Sequence, residues 1–219
     1  MRFVRSLVAV GALGALVALV PRAAEAQPDR SFENSWFWGA KAGVMQFWTP
    51  SVSHAPAPMF GLDMLITRRR AALNLSYDMG FFDETSTYPE YDAAGVSTGT
   101  LGVARSEDLR RFQATLLAFP KRFGGLRPYA GVGLGVNVVR RASQVSGNPA
   151  ADAQTSIEDV RSRGAIHFTG GLQGQYRRVS LFGQATLMPA RNRSFFNNGE
   201  TYFIEGGVRY NIGSSRDRD

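Results

Sequence analysis

The feature that most constrains this chain is an alternation of apolar and polar residues that recurs along most of its length. In the last segment, for example, Ile204, Val208 and Tyr210 alternate with Glu205 and Arg209. Successive side chains of a strand point to opposite faces, so this period of two predicts strands with one apolar and one polar face. Eight such segments can be traced. Six are clear, and two, near residues 36–47 and 110–119, are blurred and are placed by context.

The connections between these segments alternate in length. The short ones centre on residues 68–70, 121–127 and 177–178, whereas the long ones cover about 48–57, 83–109 and 141–163, with a medium one at 189–199. In an up-and-down antiparallel barrel, odd and even connections lie at opposite ends. The sequence therefore predicts an all-β, eight-stranded antiparallel barrel with tight turns at one end and long loops at the other.

The composition of the two faces bears on the solvent around such a barrel. The polar face consists mostly of Gly, Asn, Gln, Ser and Thr, which suit a narrow, hydrogen-bonded interior. The apolar face carries essentially no charge in the six clear segments. This pattern favours a transmembrane barrel, with a soluble lipocalin-type barrel as the alternative. Aromatic residues lie near the segment ends, where interfacial girdles are expected: Trp36, Trp38, Trp48, Tyr176, Tyr202 and Tyr210.

The N-terminus has the pattern of a secretory signal peptide. Arg2 and Arg5 precede an apolar run over residues 7–20, and Ala24-Glu25-Ala26 matches a cleavage site. A single membrane anchor is the alternative, but the apolar run is short for a span. We therefore divide the chain into a signal peptide (1–26), a short N-terminal segment (27–34), the barrel (35–213) and a polar tail (214–219).

Charge and cysteine content exclude several functions. The net charge of +7 by itself suggests an anionic partner, but no nucleic-acid-binding motif is present and an exported chain does not meet cytoplasmic nucleic acid. The chain has no Cys and two His, so we expect no disulfide, no metal site and no cofactor.

Two motifs carry a resemblance to a known family. The run from Arg127 to Gly135, RPYAGVGLG, resembles a strand of the small outer-membrane barrels of Gram-negative bacteria, the OmpA-like, OmpW-like and OmpX-like eight-stranded proteins. The resemblance covers nearly all of residues 35–213. It implies a monomer in the cell outer membrane, with short periplasmic turns and long extracellular loops. The last segment resembles the terminal signal read by the barrel-assembly machinery, at Glu205, Gly207, Tyr210 and Ile212.

Charged residues on the polar face are candidates for an interior network. Buried charges must be paired, so we expect them to form a satisfied polar core. A narrow, gated path for water or protons is the alternative. The candidates are Lys41, Asp63, Asp78, His167, Glu205 and Arg209.

Arginines near the long loops are candidates for contact with outer-membrane lipid. Guanidinium groups suit bidentate phosphate contacts, so these residues are expected to form a rim that faces lipopolysaccharide. A solvated rim is the alternative, and the short-turn end is basic as well. The rim comprises Arg110, Arg111, Arg140, Arg141, Arg161, Arg163, Arg191 and Arg193, with Arg105 close by.

The expected function is a structural or interaction role in the envelope without catalysis. OmpW-like passage of small apolar solutes is the alternative. A lipid A-modifying enzyme is less favoured, because it needs a His, a hydroxyl nucleophile and a carboxylate together. His167 with Thr169, and His54 with Ser51 and Ser53, do not form a convincing triad.

Overall fold

A computed structural model describes residues 32–47, 55–92, 94, 96–146, 163–189 and 200–214. No helix in this part of the chain is long and apolar enough to cross a membrane. The predicted signal peptide lies outside the described residues. The strands are β1 (Ser35–Phe47), β2 (Ala55–Arg68), β3 (Ala71–Tyr91), β4 (Ser97–Ala118), β5 (Leu126–Ser146), β6 (Arg163–Tyr176), β7 (Val179–Met188) and β8 (Thr201–Ser214).

The eight strands form a closed antiparallel barrel in sequence order. Each strand pairs with its neighbours in the chain, and β1 closes the barrel by pairing with β8. In this register Trp38 lies opposite Met64 on β2 and opposite Tyr210 on β8. The predicted all-β, eight-stranded fold is confirmed.

The barrel has apolar side chains outside and polar ones inside. Leu62, Leu116 and Leu134 point outward and are 56%, 67% and 67% exposed, whereas Lys41 and Asp78 point inward and are buried. A soluble barrel has the opposite arrangement, because its outer face must be solvated by water. The polarity therefore favours a barrel surrounded by an apolar solvent over the lipocalin-type alternative.

Three strands extend well beyond the others at one end, which we call the long-strand end. β3 and β4 pair from Ala71 opposite Ala118 as far as Tyr91 opposite Ser97. The predicted loop over residues 83–109 is therefore mostly a hairpin, and the sequence-based boundary was wrong there. The turn is closed by Asp92, whose Oδ1 accepts hydrogen bonds from the backbone N of Ala94 and Val96 at 2.9 and 2.8 Å.

Tight turns lie at the opposite end, which we call the short-turn end. Arg69 and Arg70 join β2 to β3, and Arg177 and Arg178 join β6 to β7. Residues 119–125 join β4 to β5. These positions agree with the predicted short connections.

Two apolar clusters close the interior of the barrel, one toward each end. Both consist of inward side chains, and a layer of polar side chains lies between them. The cluster toward the long-strand end contains Met45, Ala57, Met59, Leu109, Val139, Met188 and Phe203. The cluster toward the short-turn end contains Phe32, Phe37, Leu65, Ala72, Leu117, Phe119 and Tyr129.

Phe32 belongs to the second cluster although it precedes the first strand. Its ring lies 5.1 Å from that of Phe119, and the Arg127 guanidinium stacks on it at 4.2 Å. Its carbonyl oxygen accepts a hydrogen bond from the Thr67 hydroxyl. The segment just before β1 therefore covers the short-turn end of the barrel interior.

Glycines provide the space that large inward side chains need. A Cβ atom on Gly39 would overlap the Asp63 carboxylate, and it would lie 2.8 Å from Cγ of Arg209 and 2.9 Å from the carbonyl oxygen of Val208. Because Gly39 lies opposite both Asp63 and Arg209 in the sheet, its missing side chain makes room for that ion pair.

We predict that Gly39→Ala destabilises the barrel, because the added methyl group overfills a closely packed interior. The expected loss is about 1–3 kcal/mol in the free energy of unfolding, measured by denaturant titration in detergent micelles. Gly164→Ala is the matched control, since a Cβ there meets only one atom, at 4.0 Å. Equal stability of the two variants would contradict the packing explanation.

Candidate functional site

Four charged side chains meet in the polar layer between the two apolar clusters. Nζ of Lys41 lies 2.9 Å from Oδ1 of Asp78 and 3.0 Å from Oε1 of Glu205. Nη2 of Arg111 lies 2.8 Å from Oδ2 of Asp78 and 2.9 Å from the same Glu205 oxygen. Two cations and two carboxylates therefore form a closed ring of ion pairs with almost no exposure to solvent.

A second ion pair lies closer to the short-turn end. Nε of Arg209 donates to Oδ2 of Asp63 at 2.6 Å, and Nη1 donates to the side-chain oxygen of Gln173 at 2.9 Å. Asn74 donates to the same Asp63 oxygen at 2.9 Å. With this pair, the three cations in the polar layer are balanced by three carboxylates, so the desolvated charges cancel.

Neutral side chains connect these charges to the rest of the wall. Nε2 of Gln184 donates to Oε2 of Glu205 at 2.7 Å, and the Tyr129 hydroxyl donates to Oε1 of Gln184 at 3.0 Å. Between the adjacent strands β3 and β4, the Ser76 hydroxyl donates to Oε1 of Gln113 at 3.1 Å. The network therefore links strands on opposite sides of the barrel.

Both buried guanidinium groups stack on phenylalanine rings. Arg111 lies 3.6 Å from the centroid of the Phe203 ring, and Arg209 lies 3.6 Å from that of Phe182. A cation held on an aromatic face in a dehydrated site gains a favourable interaction. Because Phe203 is part of an apolar cluster, the stacking also joins the polar layer to the packing beside it.

The structure places the six predicted network residues in the interior, and all are buried. Five of them take part in the ion pairs described above. The sixth, His167, lies apart from those pairs and shares a hydrogen bond of 2.8 Å between its Nε2 and the Thr115 hydroxyl. The predicted residues are Lys41, Asp63, Asp78, His167, Glu205 and Arg209.

His167 and Thr169, the described side chains considered for catalysis, each bond to another partner. Thr169 shares a hydrogen bond with Thr186 at 2.9 Å instead of contacting His167. His54 and its neighbouring serines lie outside the described residues. In the described ranges, no group of three His, Asp or Glu side chains is placed to hold a metal ion.

Arg111 was assigned to the rim, and that assignment was wrong. It is 0% exposed and completes the ring with Lys41, Asp78 and Glu205. The error follows from beginning the fourth strand near residue 110, which put Arg111 at a strand end beside the long loop, whereas β4 begins at Ser97 and carries Arg111 into the middle of the wall. Adjacent strand residues face opposite sides, so the pair Arg110-Arg111 already required one inward side chain.

The other predicted rim residues are only partly described. Arg140 is exposed and pairs with Asp108 at 3.5 Å, and Arg110 is half-buried. Arg105 pairs with Asp83 and with Glu107. The side chains of Arg141 and Arg163, and the whole of Arg161, Arg191 and Arg193, lie outside the described part of the chain.

The proposed assembly motif lies along β8. Tyr210 and Ile212 point outward and are exposed, whereas Glu205 points inward. A Cβ on Gly207 would lie 2.7 Å from the Phe182 ring, so this glycine makes room for the ring on which Arg209 stacks. Glu205 and Gly207 therefore both have interior packing roles.

Comparison with solved structures identifies the fold. The crystal structure of Neisserial surface protein A (NspA) is similar to this chain over 80% of its length and 96% of that protein, with 13% identity and a TM-score of 0.52. A structure of Ail, the attachment invasion locus protein of Yersinia pestis, in complex with the heparin analogue sucrose octasulfate, matches over 83% and 100% of the two chains, with 11% identity and a TM-score of 0.49. No protein-family model and no curated protein sequence matches the chain. The closed barrel of eight strands and the match to NspA together show that the chain has the fold of small eight-stranded outer-membrane barrels.

We predict that Glu205→Gln destabilises the barrel strongly, because it leaves Lys41 and Arg111 with one carboxylate between them. Removing one partner of a buried ion pair costs about 3–5 kcal/mol. The double variant Lys41→Met, Glu205→Gln restores the balance of charges and is expected to recover part of this loss. Denaturant titration of the three proteins tests this, and a double variant no more stable than Glu205→Gln would contradict charge balance as the cause.

We predict that Asp83 in the exposed hairpin titrates below its usual range. Its hydrogen bond to Arg105 and the positive charge of that guanidinium hold the pKa of the Asp83 carboxyl down. The pair therefore contributes to hairpin stability at neutral pH and loses this contribution as the pH falls through the lowered pKa. NMR titration of Asp83 should show the shift, and Arg105→Gln should return the pKa to its ordinary value. An unchanged titration in that variant would contradict the pairing.

Proposed function

We propose that this chain is an outer-membrane β-barrel protein with a structural or interaction role in the bacterial envelope. The single observation that carries the proposal is the inverted polarity of the barrel. Leu62, Leu116 and Leu134 are exposed on the outside, whereas the charged side chains lie inside. An outer surface of this kind is stable only where an apolar solvent such as lipid covers it.

The packed interior favours a structural or interaction role over passage of solutes. Apolar clusters fill the space on both sides of the charged layer, and that layer is itself held by short ion pairs. An eight-stranded barrel is just wide enough to be filled by side chains. A depression of about 930 Å³ is lined mainly by outward-facing residues such as Trp38, Phe112 and Leu134. This depression on the outer wall does not provide a path through the described interior, so it does not support OmpW-like passage of apolar solutes.

The absence of catalysis is part of this proposal. His167, the described histidine, is bonded to Thr115 and lies within the wall of the packed interior. A hydrolase or acyltransferase needs its nucleophile and base together at a place that substrate can reach. The arrangement around His167 offers neither, which supports a protein that is not an enzyme.

Export and assembly follow from the sequence motifs. Residues 1–26 supply a cleavable signal peptide, and the pattern at Glu205, Gly207, Tyr210 and Ile212 supplies a signal for the barrel-assembly machinery. Lipid is then the principal partner of the folded protein, which we propose to be a monomer.

The proposal predicts heat-modifiable mobility of the protein in outer-membrane fractions. A closed barrel has no free edge at which its hydrogen bonds can open, so it should remain folded in cold SDS and shift its electrophoretic position on boiling. Single-channel recordings of the same sample should show no steady conductance. Recovery of the protein in the soluble periplasmic fraction without a shift would overturn the membrane assignment, and a stable open-channel current would overturn the closed interior.

A further inference from the structure

The short-turn end carries a concentration of positive charge that the proposed role does not use. It contains eight cations but only one described carboxylate, Glu33. Seven of the cations are exposed, and Arg127 is half-buried against Phe32. The seven exposed residues, which we call the basic ring, are Arg68, Arg69, Arg70, Lys121, Arg122, Arg177 and Arg178.

The long-strand end differs in that its described arginines have acidic partners. Arg105 pairs with Asp83 and Glu107, and Arg140 pairs with Asp108. At the short-turn end, by contrast, no described carboxylate forms an ion pair with the four arginines of the two-residue turns, Arg69, Arg70, Arg177 and Arg178. The four arginines of the two-residue turns therefore add exposed positive charge that no described carboxylate balances.

The backbone of the two tightest turns is strained at their first arginine. Arg69 and Arg177 each occupy the first position of a two-residue turn and have φ angles of 42° and 53°. Positive φ is strained for a residue with a Cβ, and Gly is the favoured residue at such a position. In the third short connection Gly124 does occupy a position with φ of 58°. Both two-residue turns thus carry Arg where Gly fits the backbone better, which points to a use for the side chains.

The basic ring borders the apolar outer surface directly. Tyr176 and Tyr210 are exposed on that surface next to the turns, and the Arg177 guanidinium lies 5.5 Å from the centre of the Tyr176 ring. Trp36 is also exposed on this border. Aromatic side chains mark the level of lipid head groups, so cations in turns of only two residues lie at the depth of lipid phosphates.

We propose that the basic ring binds the phosphate groups of anionic phospholipids in the leaflet next to the short turns. The inference rests on the proposed membrane location of the barrel. Arginine suits this partner because its planar guanidinium makes paired hydrogen bonds to phosphate oxygens. The turns are spread over three separate connections around the barrel, so the contact is with a shell of several lipids instead of one bound molecule.

A lipid shell explains the observations better than a single acidic macromolecule. The cations are distributed around the rim instead of lining one groove, and short turns do not project far from the membrane surface. Basic residues near an anionic leaflet attract its lipids, and the attraction is screened by salt. Binding to the negatively charged cell wall in the periplasm is the competing explanation, and the experiment below tests it.

The chain offers its own fluorescent probe for this experiment. Trp36 and Trp38 lie on the outer surface near the short turns, and Trp48→Phe removes the third tryptophan. The protein is folded into vesicles of phosphatidylcholine and phosphatidylglycerol in which one of the two lipids is brominated. Quenching of tryptophan fluorescence then gives the relative affinity of the barrel surface for the two lipids.

The main variant replaces the two tight turns: Arg69→Gly, Arg70→Ser, Arg177→Gly and Arg178→Ser. Glycine suits the positive φ angles, so the variant is expected to fold at least as well as the parent. Variants that change only one turn provide a second measurement if the fourfold variant fails to insert. The matched control removes four charges at the other end: Arg105→Gln, Arg110→Gln, Arg140→Gln and Arg141→Gln. Insertion of every protein is checked first by its heat-dependent electrophoretic shift.

The parent protein should prefer phosphatidylglycerol by about threefold or more, and high salt should remove the preference. The fourfold turn variant should show equal affinity for both lipids. Single-turn variants should show an intermediate preference for phosphatidylglycerol, and the control should keep the parental preference. The inference would be overturned if the parent bound both lipids equally or if the turn variants kept the preference for phosphatidylglycerol. It would also be overturned if the control lost that preference as fully as the turn variants. Ring-dependent sedimentation with purified cell-wall sacculi in a protein that shows no lipid preference would overturn it as well. Failure of the parent to insert would instead count against the membrane location.

Discussion

The balanced set of buried charges is the constraint on which the rest of this barrel depends. Lys41, Arg111, Asp78 and Glu205 give up their hydration, and each is stable only because its opposite charges lie at about 3 Å. These residues come from β1, β3, β4 and β8, so the ion pairs form only when the sheet closes in one register. The ion pairs that compensate for desolvation thereby favour the closed barrel over one in which the strand register is shifted.

The layers on either side of the charges follow from the same requirement. Apolar clusters containing Phe203 and Phe37 exclude water from the ion pairs and strengthen them by lowering the local dielectric. Phe203 also supports the Arg111 guanidinium directly, at 3.6 Å. In the described residues, one packing arrangement both stabilises the interior and fills it with side chains, which is why the proposed role is structural or interactive. The proposed contacts with other molecules fall at the ends of the barrel, where charges are exposed.

Much of this arrangement was open to prediction from local pattern. The period of two identified which residues share a face, and it therefore brought Lys41, Asp63, Asp78, Glu205 and Arg209 to the interior side. It failed where a strand boundary was misplaced. Arg111 was assigned to the rim because the fourth strand was taken to begin near residue 110. The paired hairpin between β3 and β4 was missed because its polar, acidic sequence resembles that of a loop. Phe32 was missed for another reason, since its position precedes the first strand.

The sequence by itself determined the all-β architecture, the number of strands and the polarity of each face, because these depend on alternation and turn signals within short stretches. Only the tertiary structure decided which charges meet. The contact between Arg111 and Glu205 joins residues 94 positions apart, and that between Arg209 and Asp63 joins residues 146 apart. Such pairs depend on register and barrel closure, which bring β8 back to β1. The basic ring likewise became visible only in the tertiary structure, because barrel closure places turns that are distant in the chain around one rim.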